Sequence, residues 1–322
     1  MRRFAFILLG LLAPAVGAGA HEVVVPAAIA KLSAEHLTAR IYVIHGPQAL
    51  PSPETHAFMN NPGFIITSQG VVVIDPGSSL QVGEGVLDKI AEITDKPVVA
   101  VLNTHVHGDH WLGNQAVNSR FPKAVIYAHE RMIERVRNGE GEAWIALFQK
   151  MTKGALEGTV VVPPTVGLRD GEVLAFGDTR LRVLHTGKAH TDHDLMIEVI
   201  QDRGMFTGDV VTSRRVPSSD VPQDADFKGQ IKAVEAVLAT HNQLFIPGHG
   251  HSGGREVPNA SLRFLKTLYG SVRKYYQQGL TDYEMKDKVA ADLAEFKDWQ
   301  NFDQLGRVIS FVYLQVEQES FD

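Results

Sequence analysis

The run Thr104-His105-Val106-His107-Gly108-Asp109-His110 constrains this chain more than any other. It sets three imidazoles and a carboxylate within six residues. An apolar core has no need of so many nitrogen and oxygen donors, whereas a divalent metal site does. The chain has no cysteine, so imidazole and carboxylate are its candidate ligands. A tetrahedral ion needs only three protein ligands plus water, so four donors here, with others downstream, suit two ions. The motif follows Pro97 to Leu102, a valine-rich run that predicts a buried strand, and precedes Trp111 to Val117, which can open a helix. Ligand sites of α/β sheets gather beyond the carboxyl ends of strands. Two-residue spacing points His105 and His107 the same way on extended backbone, and Asp109 and His110 fall on the turn that follows.

Three more segments repeat the plan of a strand with a donor at its end. Leu181 to Leu184 runs into His185, Ala189-His190-Thr191 and their loop; Gly204 to Gly208 ends at Asp209; Leu244 to Gly248 ends at His249. Glycine precedes the donor in the last two, where it lets backbone approach a ligand closely.

The order THVHGDH, AHT, TGD, PGHG resembles the metallo-β-lactamase superfamily of hydrolases. Asn61 to Ile66 and Val71 to Gly77 resemble its N-terminal strand pair, and the likeness spans roughly residues 40 to 252. It implies an α/β fold, the αββα sandwich, with a C-terminal helical extension. Residue by residue it implies that His105, His107 and His190 hold one ion. Asp109, His110 and His249 hold a second, and Asp209 bridges both. The best-known β-lactamases carry cysteine where Asp209 stands. Aspartate there resembles the broader hydrolase branch: glyoxalase-type thioesterases, lactonases, phosphodiesterases and alkylsulfatases. The flavo-diiron branch usually has glutamate where His107 stands.

These ligands imply two Zn2+ as cofactor, although iron and manganese suit the same donors. Two ions about 3.5–4 Å apart share a hydroxide that attacks an ester, thioester, lactone, lactam or related bond. Asp109 is the candidate catalytic residue, orienting that nucleophile or carrying a proton to the leaving group. Two dications, two carboxylates and one hydroxide leave roughly one net positive charge, which favours an anionic small-molecule substrate. Which residues bind that substrate is not specified by the pattern.

Other readings stand beside these. His190 competes with His185 and His193; the family pattern selects His190 because Thr191 follows and Asp194 to Ile197 starts a strand. The Gly-His-Gly setting favours His249 over His251, and Asp209 could instead cap a helix. His129 suits a helix start. Asp75 either accepts a hydrogen bond from a ligand imidazole and fixes it, or serves a plain Asp-Pro-Gly turn. Arg214 and Arg215 either receive an anionic group or lie solvated on a loop.

Residues 1–20 predict a secretory signal peptide, with basic Arg2-Arg3, an apolar stretch from Phe4 to Leu12 and a small-residue cleavage signal at Ala18-Gly19-Ala20. The mature chain is then periplasmic or secreted, without a stable membrane anchor. Cleavage takes the net charge from 31 − 37 = −6 to 29 − 37 = −8, which argues against nucleic acid as partner. Residues 21–256 form the expected catalytic domain and 257–322 the helical extension, where Leu262, Leu265, Leu268 and Val272 recur at helical spacing. That tail either packs on the domain or offers a dimer surface; oligomeric state is not specified. Glu130 to Ala155 predicts one or two amphipathic helices, a place where this superfamily often shapes the substrate entrance. Val160 to Pro164 and Glu172 to Phe176 predict strands, and Phe227 to Ala239 a helix.

Within the superfamily the chain also resembles periplasmic hydrolases encoded beside sulfur-oxidation or quinoprotein systems (SoxH-like), through its signal peptide, Asp209, Ser213 to Pro217 and Asp226 to Gly229. Three alternatives predict different observations. A β-lactamase turns over nitrocefin. A mononuclear iron oxygenase of the persulfide-dioxygenase type consumes oxygen. A non-catalytic metal-binding accessory protein binds metal without turnover.

Overall fold

A computed structural model describes residues 23–217 and 224–321. The segment expected to be a signal peptide lies outside the described residues.

Seven strands, in spatial order as in sequence, form the first sheet: β1 (Glu35–His36), β2 (Ile41–Val43), β3 (Gly63–Ile66), β4 (Val71–Ile74), β5 (Val98–Leu102), β6 (Val125–His129) and β7 (Val166–Leu168). The first four are antiparallel, and β4 through β7 are parallel. The parallel half needs crossovers. The helices α2 (Leu80–Ala91) and α4 (Asn114–Arg120) supply two of them, while α1 (Ala27–Ala30) packs on α2 and α3 (Gly108–Trp111) is a single turn. Next come α5 (Glu130–Arg137) and α6 (Glu140–Met151), where the amphipathic pattern places helices.

The second sheet holds β8 (Val173–Phe176), β9 (Thr179–Leu184), β10 (Met196–Val199), β11 (Gly204–Gly208) and β12 (Leu244–Pro247) in the order β12-β11-β10-β9-β8. Helix α7 (Phe227–Ala239), over the residues predicted, crosses from β11 to parallel β12. The chain ends in α8 (Glu256–Tyr276), α9 (Asp282–Asp292) and α10 (Leu305–Glu319).

Side-chain alternation explains the layers. On β4, Val72 and Ile74 point into the core between the sheets, where Leu181, Val183, Ile197 and Phe206 meet them from the second sheet. Val71 and Val73 point the other way, toward Val82 and Val86 of α2 and Val117 of α4. Such two-sided burial is why β4 is an unbroken apolar run. Met205 and Phe245 bury the outer face of the second sheet against Val234 of α7, Leu265 and Leu268 of α8 and Val312 of α10. The layers are therefore helix, sheet, sheet, helix, and the C-terminal helices share a core with the sheet they cover.

Val160 to Pro164, expected as a strand, is not one. Pro163 and Pro164 lack the N–H a ladder requires. Pairing starts after them, with Thr165 N–H donating to the Ile126 carbonyl at 2.9 Å and β7 beginning at Val166.

Phe264 of α8 is fully buried and stacks on Trp299 at 5.2 Å, with Phe296 edge-on at 5.2 Å. Phe264→Ala is expected to cost about 3–5 kcal/mol of stability in urea denaturation followed by circular dichroism. A loss under about 1 kcal/mol would mean the C-terminal helices are not part of a tightly packed core.

Candidate metal centre

The seven donors arrive from both sheets at one end of the sandwich. His105 and His107 follow β5 on extended backbone. His107 (φ −63°, ψ 132°) is the N-cap of α3, so Asp109 and His110 turn back on its first turn. His190 lies on the loop from β9 to β10, Asp209 follows β11, and His249 lies just past β12. All seven are buried. Two glycines allow the approach. Gly208 has φ +49° against Thr104, and a Cβ on Gly248 would fall 1.9 Å from Asp209 Oδ1.

Donor spacing matches ligation. Two ligands of one tetrahedral ion, each about 2.0–2.2 Å from it, stand roughly 3.3–3.6 Å apart. His249 Nε2 is 3.3 Å from Oδ2 of both Asp109 and Asp209. His110 Nε2 is 3.5 Å from Asp109 Oδ2 and 3.4 Å from Asp209 Oδ1. His190 Nε2 is 3.6 Å from Asp209 Oδ2 and 2.9 Å from His107 Nδ1. Possible ligand atoms of His105, His107 and His190 lie within 4.8 Å of one another, as do those of Asp109, His110 and His249. Asp209 stands between the two groups. Buried here, Nε2 of His105 and His110 and Oδ1 of Asp209 have no hydrogen-bond partner, while His107 faces His190 through Nδ1. Buried polar atoms are rarely left so, and an ion would satisfy such donors. The residues present fit a pair of divalent metals.

Surrounding groups hold the ligands. Asp75, at the end of β4 with φ 50°, accepts from Thr104 N–H at 2.8 Å, Thr104 Oγ1 at 2.6 Å and the His110 Nδ1 proton at 2.9 Å. It is both the acceptor and the turn residue that the sequence offered as alternatives. His249 Nδ1 donates to the Met59 carbonyl at 2.9 Å, which leaves Nε2 for the site. Asn61 Nδ2 donates to the carbonyls of Pro247 and Gly250, and Gln230 Nε2 to those of Asp209 and Val210.

His190 is the one of its three neighbours that enters the donor set. His185 Nδ1 lies 2.9 Å from the Asp194 carbonyl, and its ring stands 4.5 Å from that of His129, the N-cap of α5. His193 supports the backbone instead. Its Nε2 accepts from Val106 N–H at 3.1 Å, so its proton sits on Nδ1 and is donated to Asp192 at 2.7 Å. The sequence offers no signal for that role, because Val106 and His193 are far apart in the chain. His251 lies 5.4 Å from the His45 ring, away from the donors.

The electrostatics divide the constellation. Burial and neighbouring imidazoles hold His105 and His107 well below the usual histidine range; burial foremost lowers His190 too. These three are neutral, with a lone pair available. Burial opposes charge on His110 and His249 as well, but carboxylates outweigh it: Asp109, Asp209 and Asp75 raise His110 to about 10, and Asp209 raises His249. Burial opposes ionisation of Asp109 and Asp209, yet His110 and His249 pull both below the usual carboxylate range. The carboxylate side therefore draws positive charge. Behind the His190 loop, burial pushes Asp194 up to about 7, where it accepts from Thr191 N–H at 2.7 Å.

A cavity of about 230 Å³ opens over the donors, with His107, Asp109, Asp209 and His249 at its floor. Trp144, Phe148 and Met151 of α6 form one wall, with Leu50, Pro51 and Met59 nearby. Arg215, Asn301, Gln304 and Arg307 line it too. The Arg214-Arg215 pair is split: Arg214 is exposed, whereas Arg215 is 5 % exposed.

Residues 57–266 match the family model of the metallo-β-lactamase superfamily. A linear primary-alkylsulfatase of Pseudomonas sp. (strain ATCC 19151) is 23% identical over 255 residues, covering 69% of this chain and 48% of that protein. A hydroxyacylglutathione hydrolase of Synechococcus sp. (strain JA-3-3Ab) is 30% identical over 139 residues, 43% of each chain. Among solved structures, a double mutant of the sec-alkyl sulfatase PisA1 has a TM-score of 0.66 at 16% identity, over 88% of this chain and 50% of that one. The chain thus spans about half the length of these relatives, and the structural likeness shows a shared fold.

Asp75→Ala is expected to weaken zinc binding about 10–100-fold, because His110 loses the acceptor that sets its tautomer and orientation. Competition against a chromophoric chelator measures this. Unchanged affinity would mean that Asp75 serves the turn alone.

Proposed function

The chain belongs to the metallo-β-lactamase superfamily, and from that premise we propose that it is a secreted, dinuclear zinc-dependent hydrolase acting on an ester, thioester, lactone or related bond. The observation that carries the reading is the set of unpartnered buried nitrogens and carboxylate oxygen at ligand spacing. His105, His107 and His190 would hold one ion, Asp109, His110 and His249 the other, and Asp209 both. The names of the relatives, an alkylsulfatase and a hydroxyacylglutathione hydrolase, support hydrolysis. The apolar start of the sequence supports secretion. Among the described residues no helix is long and apolar enough to cross a membrane.

When bound, the ions supply Lewis acidity and a water acidic enough to act as nucleophile at neutral pH. The chain's own groups do the rest. Asp109 lines the cavity, where its carboxylate can take a proton from the attacking water and pass it to the leaving group. His107 packs against Trp144 with ring centroids 5.1 Å apart, so the indole screens the donors from bulk water on that side. Asp75 and the Met59 carbonyl keep His110 and His249 in the tautomer that offers Nε2.

The test is metal content per chain of protein purified from the secreted fraction, with Asp209→Ala beside it, and turnover on an ester and thioester panel. About two zinc per chain, a lower content in the variant, and turnover lost to a chelator and restored by zinc are expected. One iron per chain with oxygen consumption would replace this reading with a mononuclear oxygenase. Metal without turnover of any substrate would leave a binding protein.

A further inference from the structure

The residue between His105 and His107 is held from both sides by side chains. Val106 N–H donates to His193 Nε2 at 3.1 Å, and the Val106 carbonyl accepts from Trp111 Nε1 at 2.7 Å. Neither bond belongs to a helix or a strand, because this stretch lies beyond β5 and before α3. Without them Val106 would bury an unpaired donor and an unpaired acceptor. Its own side chain is fully buried, in one apolar cluster with Trp111 and with Met132 and Ile133 of α5.

His193 stands three residues past His190, so its bond to Val106 joins the two loops that carry His105, His107 and His190. Leu195 N–H adds a second tie between them, to the Thr104 carbonyl at 2.8 Å. The donors Asp109 and His110 depend on other contacts: His110 N–H donates to the His107 carbonyl at 3.0 Å, and Asp75 fixes its ring.

His193 is fully buried and serves Val106 in one tautomer only. Its Nε2 must offer a lone pair, so its proton must sit on Nδ1. Asp192 accepts that proton at 2.7 Å. Burial foremost holds His193 below the usual histidine range, as an accepting ring requires. Two arginines of α5, one turn apart, face Asp192. Arg131 Nη1 lies 3.4 Å from its Oδ2, and Arg135 Nη1 lies 3.6 Å from its Oδ1. Arg135 is in turn fixed by Glu140 at 2.8 Å and Asp224 at 2.9 Å. A line of contacts thus runs from α5 through Asp192 and His193 to the backbone of the ligand loop.

We propose, on the strength of the two-ion reading, that His193 is a positioning residue for the ion that His105, His107 and His190 would hold. It locks the two ligand loops together, and Asp192 with the arginines of α5 keeps it in the tautomer that can do so. An imidazole that touches no ion then sets the spacing of three that do, in the way that outer groups set the orientation of ligands elsewhere. The loss of its acceptor atom should fall on one ion more than on the other.

Zinc titration of the full chain against a chromophoric chelator tests this. His190→Ala and His249→Ala, each missing one ligand, identify which binding step belongs to which ion. His193→Met and His193→Gln differ in little but the acceptor atom, which Gln retains. His193→Met is expected to weaken the step lost in His190→Ala by about tenfold or more, with the step lost in His249→Ala little changed. His193→Gln is expected to recover most of that loss. Asp192→Ala, which removes the acceptor for Nδ1, is expected to weaken the same step several-fold. Melting curves of the metal-free variants check that each is folded. Native affinity in His193→Met overturns the proposal, as does equal weakening in the Met and Gln variants or an equal loss at both steps. Native affinity in Asp192→Ala overturns the part played by α5. A single binding step in the native chain would sink the two-ion reading, whereas weakening of that step in His193→Met, repaired in His193→Gln, would still uphold the lock between the loops.

Discussion

The carboxylate of Asp75 is the contact on which the rest of the site depends. It lies beyond β4 in a left-handed conformation and grips the loop beyond β5 through the backbone and side chain of Thr104. The same carboxylate fixes His110. One buried acid therefore sets where the histidine loop leaves the sheet and which nitrogen one ligand presents. The second sheet adds His190, Asp209 and His249 from separate loops, so the donor set exists only when the two sheets are packed. The apolar layer between them, with Ile74 and Leu102 on one side and Phe206 and Ile246 on the other, keeps those strand ends in register. Packing and chemistry are joined at this point, because a shift of one sheet against the other would pull the donor groups apart.

Much of the donor set was legible because its residues sit at strand ends in a fixed order with glycine or histidine neighbours. The apolar runs of β4 and β9 and the helical spacing on α8 were legible for a local reason too: short runs of apolar residues and their period report buried strands and helix faces. Longer-range facts were not. Arg214 and Arg215 are indistinguishable in sequence, and their fates diverge because Gln300 pairs with the backbone beside them and turns one inward. His193 looked like a competing ligand to His190 until Val106 N–H, on another loop, was seen to occupy its ring nitrogen. The strand expected at Val160 to Pro164 failed on local chemistry, since valines favoured pairing and two prolines prevented it. The cavity wall was legible only in part: helices over Glu130 to Ala155 were expected at the entrance, whereas the meeting of α6 with the 50–59 loop and α10 exists only in the folded chain.

Conserving the donors and changing the wall are separable operations in this architecture. The donors stand on buried strand ends and a one-turn helix, where Gly248 leaves no space for a side chain beside Asp209. The wall comes from α6, the 50–59 loop and the segment that leads into α10. Substitutions there can alter what enters without disturbing how the donors are held. A broad spread of substrates among proteins of one fold is what such a division allows.

The backbone bridge between Arg215 and Gln300 also imposes an order on assembly. A chain made from its N-terminus has all its metal donors once His249 has emerged, but the loop carrying Arg215 still lacks its partner. Only when the final helices dock does that loop acquire its inward arginine and the cavity its last wall. Because α8 and α10 also bury the outer face of the sheet that carries Asp209 and His249, a chain cut short after β12 would lose the support of those donors together with the last wall of the cavity. In this protein the C-terminus completes both the packing of the second sheet and the cavity over the donors.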